Sequence, residues 1–138
     1  MIIDKALQVS DAQAVTSSAA STDVIDTGVA NRAIGDVTSL AAVITVDESA
    51  TAVGAATVTF SLQDSADNSS FADVVASAAI GKASLTAGTQ AAVFKLPPNL
   101  RRYVRVYYTV ATGPLTAGKF SAQVVMDYNR QRAYPNAV

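Results

Sequence analysis

Cysteine, histidine and tryptophan are all absent from this chain, and each absence closes off a class of function. Without cysteine there is no disulfide and no thiolate, so the fold must stand on packing alone, as suits a protein made in a reducing compartment. Without histidine there is no Ser-His-Asp or Cys-His arrangement, and the commonest general base and metal ligand are both missing. A Ser-Lys dyad with Lys5, Lys82, Lys95 or Lys119 is formally open, but no serine stands in a nucleophile motif. The seven glycines are scattered singly, so no phosphate-cradling loop is present. Charge is scarce as well: 15% of residues are charged, against roughly 25% in ordinary soluble domains. The formal net charge of -1 supplies no field to draw in nucleic acid or an anionic membrane. No apolar run approaches the ~18 residues of a membrane-spanning helix. The opening MIIDKALQVSDAQAV is broken by Asp4, Lys5 and Asp11, so it reads as mature, soluble sequence and not as a signal peptide. These absences predict a protein without catalytic residues, metal or cofactor.

What is present is a small, weakly polar vocabulary. Half of the 138 residues are hydrophobic, and Ala, Ser, Thr and Val dominate. A surface built of such residues suits packing against another protein. The length fits one domain, 1–138, able to bury about two-thirds of its unfolded surface.

Period-2 alternation is the main structural signal. Val58, Phe60 and Leu62 point one way while Thr57, Thr59 and Ser61 point the other, and Leu40, Ala42, Ile44 and Val46 repeat the pattern. Further strands are expected over Phe71–Ala79, Gln90–Leu96, Arg101–Val110 and Lys119–Tyr128, with one or two more within Ala12–Ile25. Two alanine-rich stretches, Ser10–Ala20 and Ala72–Ala79, compete as helices. Turn residues divide these runs at Asp64–Ser70, Ala87-Gly88 and Pro97-Pro98-Asn99. ATGPLTAGK reads as a hairpin loop joining the last two long strands. The fold class that follows is all-β, an antiparallel β-sandwich of jelly-roll type, with extended arms at about 1–10 and 129–138.

Two acidic groupings invite a chemical reading. Asp47 and Glu48 adjoin, but neighbours on a strand face opposite ways, which suits solvated residues at a strand end better than a glycosidase pair. Asp64, Asp67 and Asn68 resemble part of a calcium loop, yet lack the glycine and terminal glutamate of the EF-hand pattern, so a hairpin turn is the better reading. Asn68-Ser69-Ser70 matches a glycosylation sequon, which carries no meaning without secretion.

One strand rises above this background. In RRYVRVYYTV, Val104, Val106, Tyr108 and Val110 share a face, leaving Tyr103, Arg105, Tyr107 and Thr109 on the other. A Tyr-Arg-Tyr row away from the core is unusual in a chain so poor in charge, and these residue types are enriched in interface hot spots. The alternative is a ladder of cross-strand and cation–π contacts within the sheet. Arg101 and Arg102 precede the row, and Arg130, Arg132 and Tyr134 follow in the tail. With Arg105 and Lys119, six of the ten basic residues lie in the last 38 positions. Such a concentration is suited to an acidic protein surface. A single-stranded nucleic-acid face is a third reading, opposed by the net charge.

The run LPPNLRRYVRVYYTVATGPLTAGKFSAQVVMD and the opening MIIDKALQVSDAQAVTSSAASTDVIDTG resemble the small capsid cement, or decoration, proteins of tailed bacteriophages. The shared elements are Leu96-Pro97-Pro98, Arg102-Tyr103, Tyr108-Thr109-Val110, Gly113-Pro114 and Thr116-Ala117-Gly118, with Ser10-Asp11-Ala12-Gln13, Asp26 and Gly28 at the front. Gly54–Gly88 and the stretch after Tyr128 depart most. The resemblance implies a jelly roll that binds the outer surface of an icosahedral shell, bridges neighbouring major capsid subunits and carries no catalytic residues. It further implies homo-oligomers, dimers near two-fold positions ahead of trimers, made in the host cytoplasm and carried on the outer capsid surface of the virion. A carbohydrate- or receptor-binding β-sandwich of a virion or cell surface is the competing function, weakened by the missing tryptophan.

Overall fold

The computed structural model describes residues 3–30 and 40–126. Ten strands lie among them: β1 (Gln8–Ala14), β2 (Ala19–Ala20), β3 (Ile25–Asp26), β4 (Ala41–Thr51), β5 (Thr57–Ser65), β6 (Ala72–Ala76), β7 (Ile80–Gly81), β8 (Gln90–Lys95), β9 (Tyr103–Ala111) and β10 (Ala117–Val125). They form a four-stranded sheet in the order β1-β10-β4-β8 and a six-stranded sheet in the order β2-β9-β5-β6, where β3 also pairs with β9 and β7 with β5. Every strand pair is antiparallel. If β2 with β3, and β6 with β7, are taken as two interrupted strands, eight remain, and every connection between them except β5–β6 changes sheet. That is the strand order of a jelly roll. The alanine-rich stretches are not helical: Ser10–Ala14, Ala19–Ala20 and Ala72–Ala76 are extended.

The core lies between the sheets. Val58, Phe60 and Leu62 from β5 and Val104, Val106 and Tyr108 from β9 are buried to 2% exposure or less, as the alternation predicts. Phe120 on β10 reaches them from the other sheet. Phe60 stands edge-on to Tyr108 and to Phe120, at 5.9 and 5.4 Å between centroids, while Tyr108 stacks on Phe120 at 5.7 Å. Each such pair adds about 0.5–1.5 kcal/mol to what burial alone supplies, so this triad ties the two layers together. The Tyr108 hydroxyl would be costly to bury unpaired. It donates to Ser10 Oγ at 2.8 Å, and Ser10 donates onward to Gln13 Oε1 at 2.7 Å. Desolvation pushes the Tyr108 phenol up to about 12.

The sheet edges explain two departures from simple alternation. β1 carries register shifts between Gln8 and Gln13, and within them Ala12 adopts φ 45°. Ser121 pins this bulge, accepting from the Ala12 N–H at 2.9 Å and donating to Asp47 at 2.6 Å. Residues 8–10, expected in an N-terminal arm, thus open β1, with Val9 and Ser10 buried. The tail residues Arg130, Arg132 and Tyr134, and the arm expected over 129–138, lie outside the described residues.

The ATGPLTAGK segment is not a hairpin. β9 pairs with β5 and β10 with β4, so the connection passes from one sheet to the other. β9 buries one face and β10 buries most of its length, and a sandwich serves both by setting their inward sides across the core instead of pairing them edge to edge. The crossing is held by the buried Leu115, whose N–H bonds Thr16 O, and by Thr116 N–H to Thr51 O. Gly118, at φ 153°, lets β10 start against β4: a Cβ there would lie 3.4 Å from Ala50 Cα.

Candidate interaction face

Tyr103, Arg105 and Tyr107 lie on the outer face of the six-stranded sheet, all half-buried. Their position follows from alternation, since Val104, Val106 and Tyr108 point inward. Across the register, β5 presents small or amide side chains to them: Ser65 opposite Tyr103, Gln63 opposite Arg105 and Ser61 opposite Tyr107. On the other side Asp26 of β3 faces Tyr103, and Ala20 of β2 faces Tyr107.

Arg105 is fixed from three directions. Its Nε donates to Gln63 Oε1 at 2.8 Å, and Gln63 Nε2 donates to Asp73 Oδ1 at 2.8 Å. Its guanidinium carbon sits 3.7 Å from the centre of the Phe71 ring and 5.6 Å from that of Tyr107. The rings hold the planar cation by its faces while the amide holds one edge. Burial lowers the proton affinity of Arg105, an effect the Tyr107 hydroxyl opposes. The guanidinium nonetheless remains charged.

Arg101 and Arg102 behave differently. Arg101 is turned onto Asp64: Nε and Nη2 reach Oδ1 at 2.8 and 2.6 Å, the backbone N–H reaches Oδ2 at 2.9 Å, and Nη2 also meets the Asp64 carbonyl at 2.7 Å. Arg102 forms a two-pronged pair with Asp26, Nε to Oδ1 at 2.7 Å and Nη2 to Oδ2 at 2.9 Å, and lies 5.0 Å from the Tyr103 ring. These hydrogen bonds raise the proton affinity of both arginines. The Arg102 bonds, helped by the Gly28 N–H, lower Asp26 to about 2. Both cations are thus consumed in fastening the start of β9 to β5 and β3.

The acidic turn is occupied in the same manner. Asp67 accepts from the Ser69 and Ser70 N–H groups and from Ser65 Oγ, which hold its carboxyl at about 2. The Asp64 carboxylate is engaged by Arg101 and Asp67 Oδ1 by its own turn, so both acids of the supposed calcium loop already serve bonds within the chain. Among the described residues no group of three or more acidic side chains gathers to hold a metal.

Of the expected interface residues, the structure brings Tyr103, Arg105 and Tyr107 to one surface and sets Arg101 and Arg102 into intramolecular pairs. Sequence reasoning missed Gln63, Phe71 and Asp73, which build the seat of Arg105. The signal for Gln63 was its outward phase on β5; nothing local marked Phe71 or Asp73.

The whole sandwich also carries a family signature. A sequence model of the family described as Bbp16 matches residues 9–124, from the second residue of β1 to the next-to-last residue of β10. The chain belongs to the Bbp16 family. The Bbp16 match therefore takes in both sheets, the aromatic triad and the Tyr103–Arg105–Tyr107 row. A comparison with curated proteins finds no match.

Proposed function

We propose that this member of the Bbp16 family is a structural cement protein, which binds the outer surface of an icosahedral phage shell and bridges neighbouring major capsid subunits. The observation that carries this reading is the ordered resemblance to phage cement proteins, spread over most of a chain that folds as a jelly roll. Three features support it. The sandwich is stapled across its layers by Phe60, Tyr108 and Phe120, as a rigid spacer requires. Its surface is sparse in charge. Its outer sheet face presents an ordered Tyr-Arg-Tyr row. Each contact on such a surface can be weak, because repetition over a closed lattice makes attachment multivalent, and release then requires several losses at once. Homo-oligomers, dimers or trimers, would increase that valency.

The test is co-sedimentation of the purified chain with empty shells of the phage that encodes it. Saturable occupancy, together with greater resistance of the decorated shells to heat, is the expected result. No association with shells, or saturable binding to glycans in its place, would replace the proposal with the receptor-binding alternative.

A further inference from the structure

The basic side chains near the start of β9 are not equivalent. Arg101 and Arg102 are neutralised by Asp64 and Asp26. Lys119 pairs with Glu48 and Lys5 with Asp11. Arg105 makes no ion pair among the described residues, although it is half-buried and its surroundings disfavour charge. Its hydrogen bond to protein goes from Nε to the neutral amide of Gln63, and that amide stands between Arg105 and Asp73, the nearest acid in the chain of bonds. The Nη edge of the guanidinium, the fork that matches a carboxylate, makes no hydrogen bond among the described residues. Phe71 on one face and Tyr107 nearby keep that fork in place.

A partly desolvated, immobilised cation without a counter-charge is an uncompensated cost in the isolated protein. It becomes favourable when an anion arrives, because the side-chain ordering is already complete. We propose that Arg105 is a preset receptor for the carboxylate of an Asp or Glu side chain on a partner protein, with Phe71, Tyr103 and Tyr107 as its water-excluding rim. This rests on the reading of the outer sheet face as a contact surface. One guanidinium matches one carboxylate bidentately. A polyphosphate partner would instead need several open cations together, whereas Arg101 and Arg102 are closed by their own aspartates.

Two measurements on the full chain test this and separate it from the cement reading. The first follows the Arg side-chain N–H signals by NMR during titration with triglutamate peptide, and in parallel with sodium phosphate. Saturable shifts at Arg105 and at the Phe71 and Tyr107 rings, with Arg101 and Arg102 unmoved, are expected for the peptide, and Arg105→Lys should abolish them. No shift at Arg105, or an equal response to phosphate, overturns the carboxylate assignment. The second compares shell occupancy of the wild type, Arg105→Lys and Arg105→Ala at matched melting temperature. A loss of about thirtyfold or more in affinity per contact is expected for both variants, since lysine keeps the charge but not the fork. Wild-type binding equalled by Arg105→Lys overturns the receptor while leaving the cement reading intact. Peptide engagement of Arg105 by a wild type that ignores shells sinks the cement reading and keeps the receptor.

Discussion

Arg102 and Asp26 are 76 positions apart in the chain, yet their side chains meet through two parallel hydrogen bonds of 2.7 and 2.9 Å. The pair closes the short β3 against the start of β9, where Thr27 Oγ1 also donates to the Arg102 carbonyl at 2.8 Å. Gly28, at φ 83°, turns its N–H back to the same carboxylate. One acidic side chain thereby organises the whole Asp26-Thr27-Gly28 turn.

Acid stability should follow from this carboxylate and from Asp67. Both are held at about 2 in the folded chain, against an ordinary 3.8. A depressed folded value means stability that is present above pH 4 and lost as pH falls from about 4 toward 2. The melting temperature should therefore drop over that window. Asp26→Asn or Asp67→Asn should lower it at neutral pH and flatten the acid decline; a variant with an unchanged acid profile would show that the bonds do not contribute.

At the alkaline end the controlling group is Tyr108. Its phenol is pushed from 10 to about 12, chiefly by desolvation. A raised folded value gives stability that is intact below pH 10 and is lost as pH climbs from 10 to 12. Tyr108→Phe should remove that alkaline loss. The same change deletes the bond to Ser10, at a cost of about 0.5–1.5 kcal/mol near neutral pH. Urea unfolding at pH 7 and pH 11 measures both effects, which should have opposite signs.

The β9–β10 crossing supplies a backbone prediction. Gly118 sits at φ 153°, and a Cβ there would meet Ala50 at 3.4 Å. Gly118→Ala should cost on the order of 1–3 kcal/mol through strain in a conformation that L-residues avoid. Gly81→Ala is the control, because a Cβ at Gly81 meets nothing within 4 Å. Equal stability of the two variants in denaturant unfolding would refute the strain argument.

The long strands were legible in sequence wherever one face is core and the other is not. Val58, Phe60 and Leu62 on β5 and Val104, Val106 and Tyr108 on β9 declare their inward phase directly. β10 reads less clearly, since Phe120 through Val125 are buried on both faces, and Val125 joins Ala41 and Val43 in a second apolar cluster. The two-residue strands β2, β3 and β7 are too short to show a period. Gly-Pro turn chemistry in ATGPLTAGK signals a reversal but cannot say whether the chain returns beside itself or across the core. For the candidate face, alternation placed Tyr103, Arg105 and Tyr107 outward. It could not foresee that Arg101 and Arg102 would find Asp64 and Asp26, because those pairs depend on register across 37 and 76 positions.

The outer row gives the last prediction. Tyr103, Arg105 and Tyr107 contribute nothing to the Phe60–Tyr108–Phe120 core, so replacing all three by alanine should leave a folded sandwich with native circular dichroism. Some stability should go, because Arg105 loses Gln63 and Phe71, and Tyr103 loses its contact with Arg102. Cation–π contacts of this exposure are worth about 0.5–1 kcal/mol each, too little to unfold a domain of ordinary stability. Binding should suffer far more, since aromatic and arginine anchors removed from a desolvated interface commonly cost ~2 kcal/mol or more each. The triple variant should therefore melt only slightly below wild type yet fail to oligomerise or to decorate shells, as read by analytical ultracentrifugation and co-sedimentation. If it keeps both its oligomeric state and wild-type occupancy, the row is a stabilising ladder on the sheet surface and the contact face lies elsewhere. Should it melt far below wild type, single substitutions settle the matter: Tyr107→Ala leaves the Arg105–Gln63 bond and the Phe71 stack in place, so its occupancy reports on contact and not on folding.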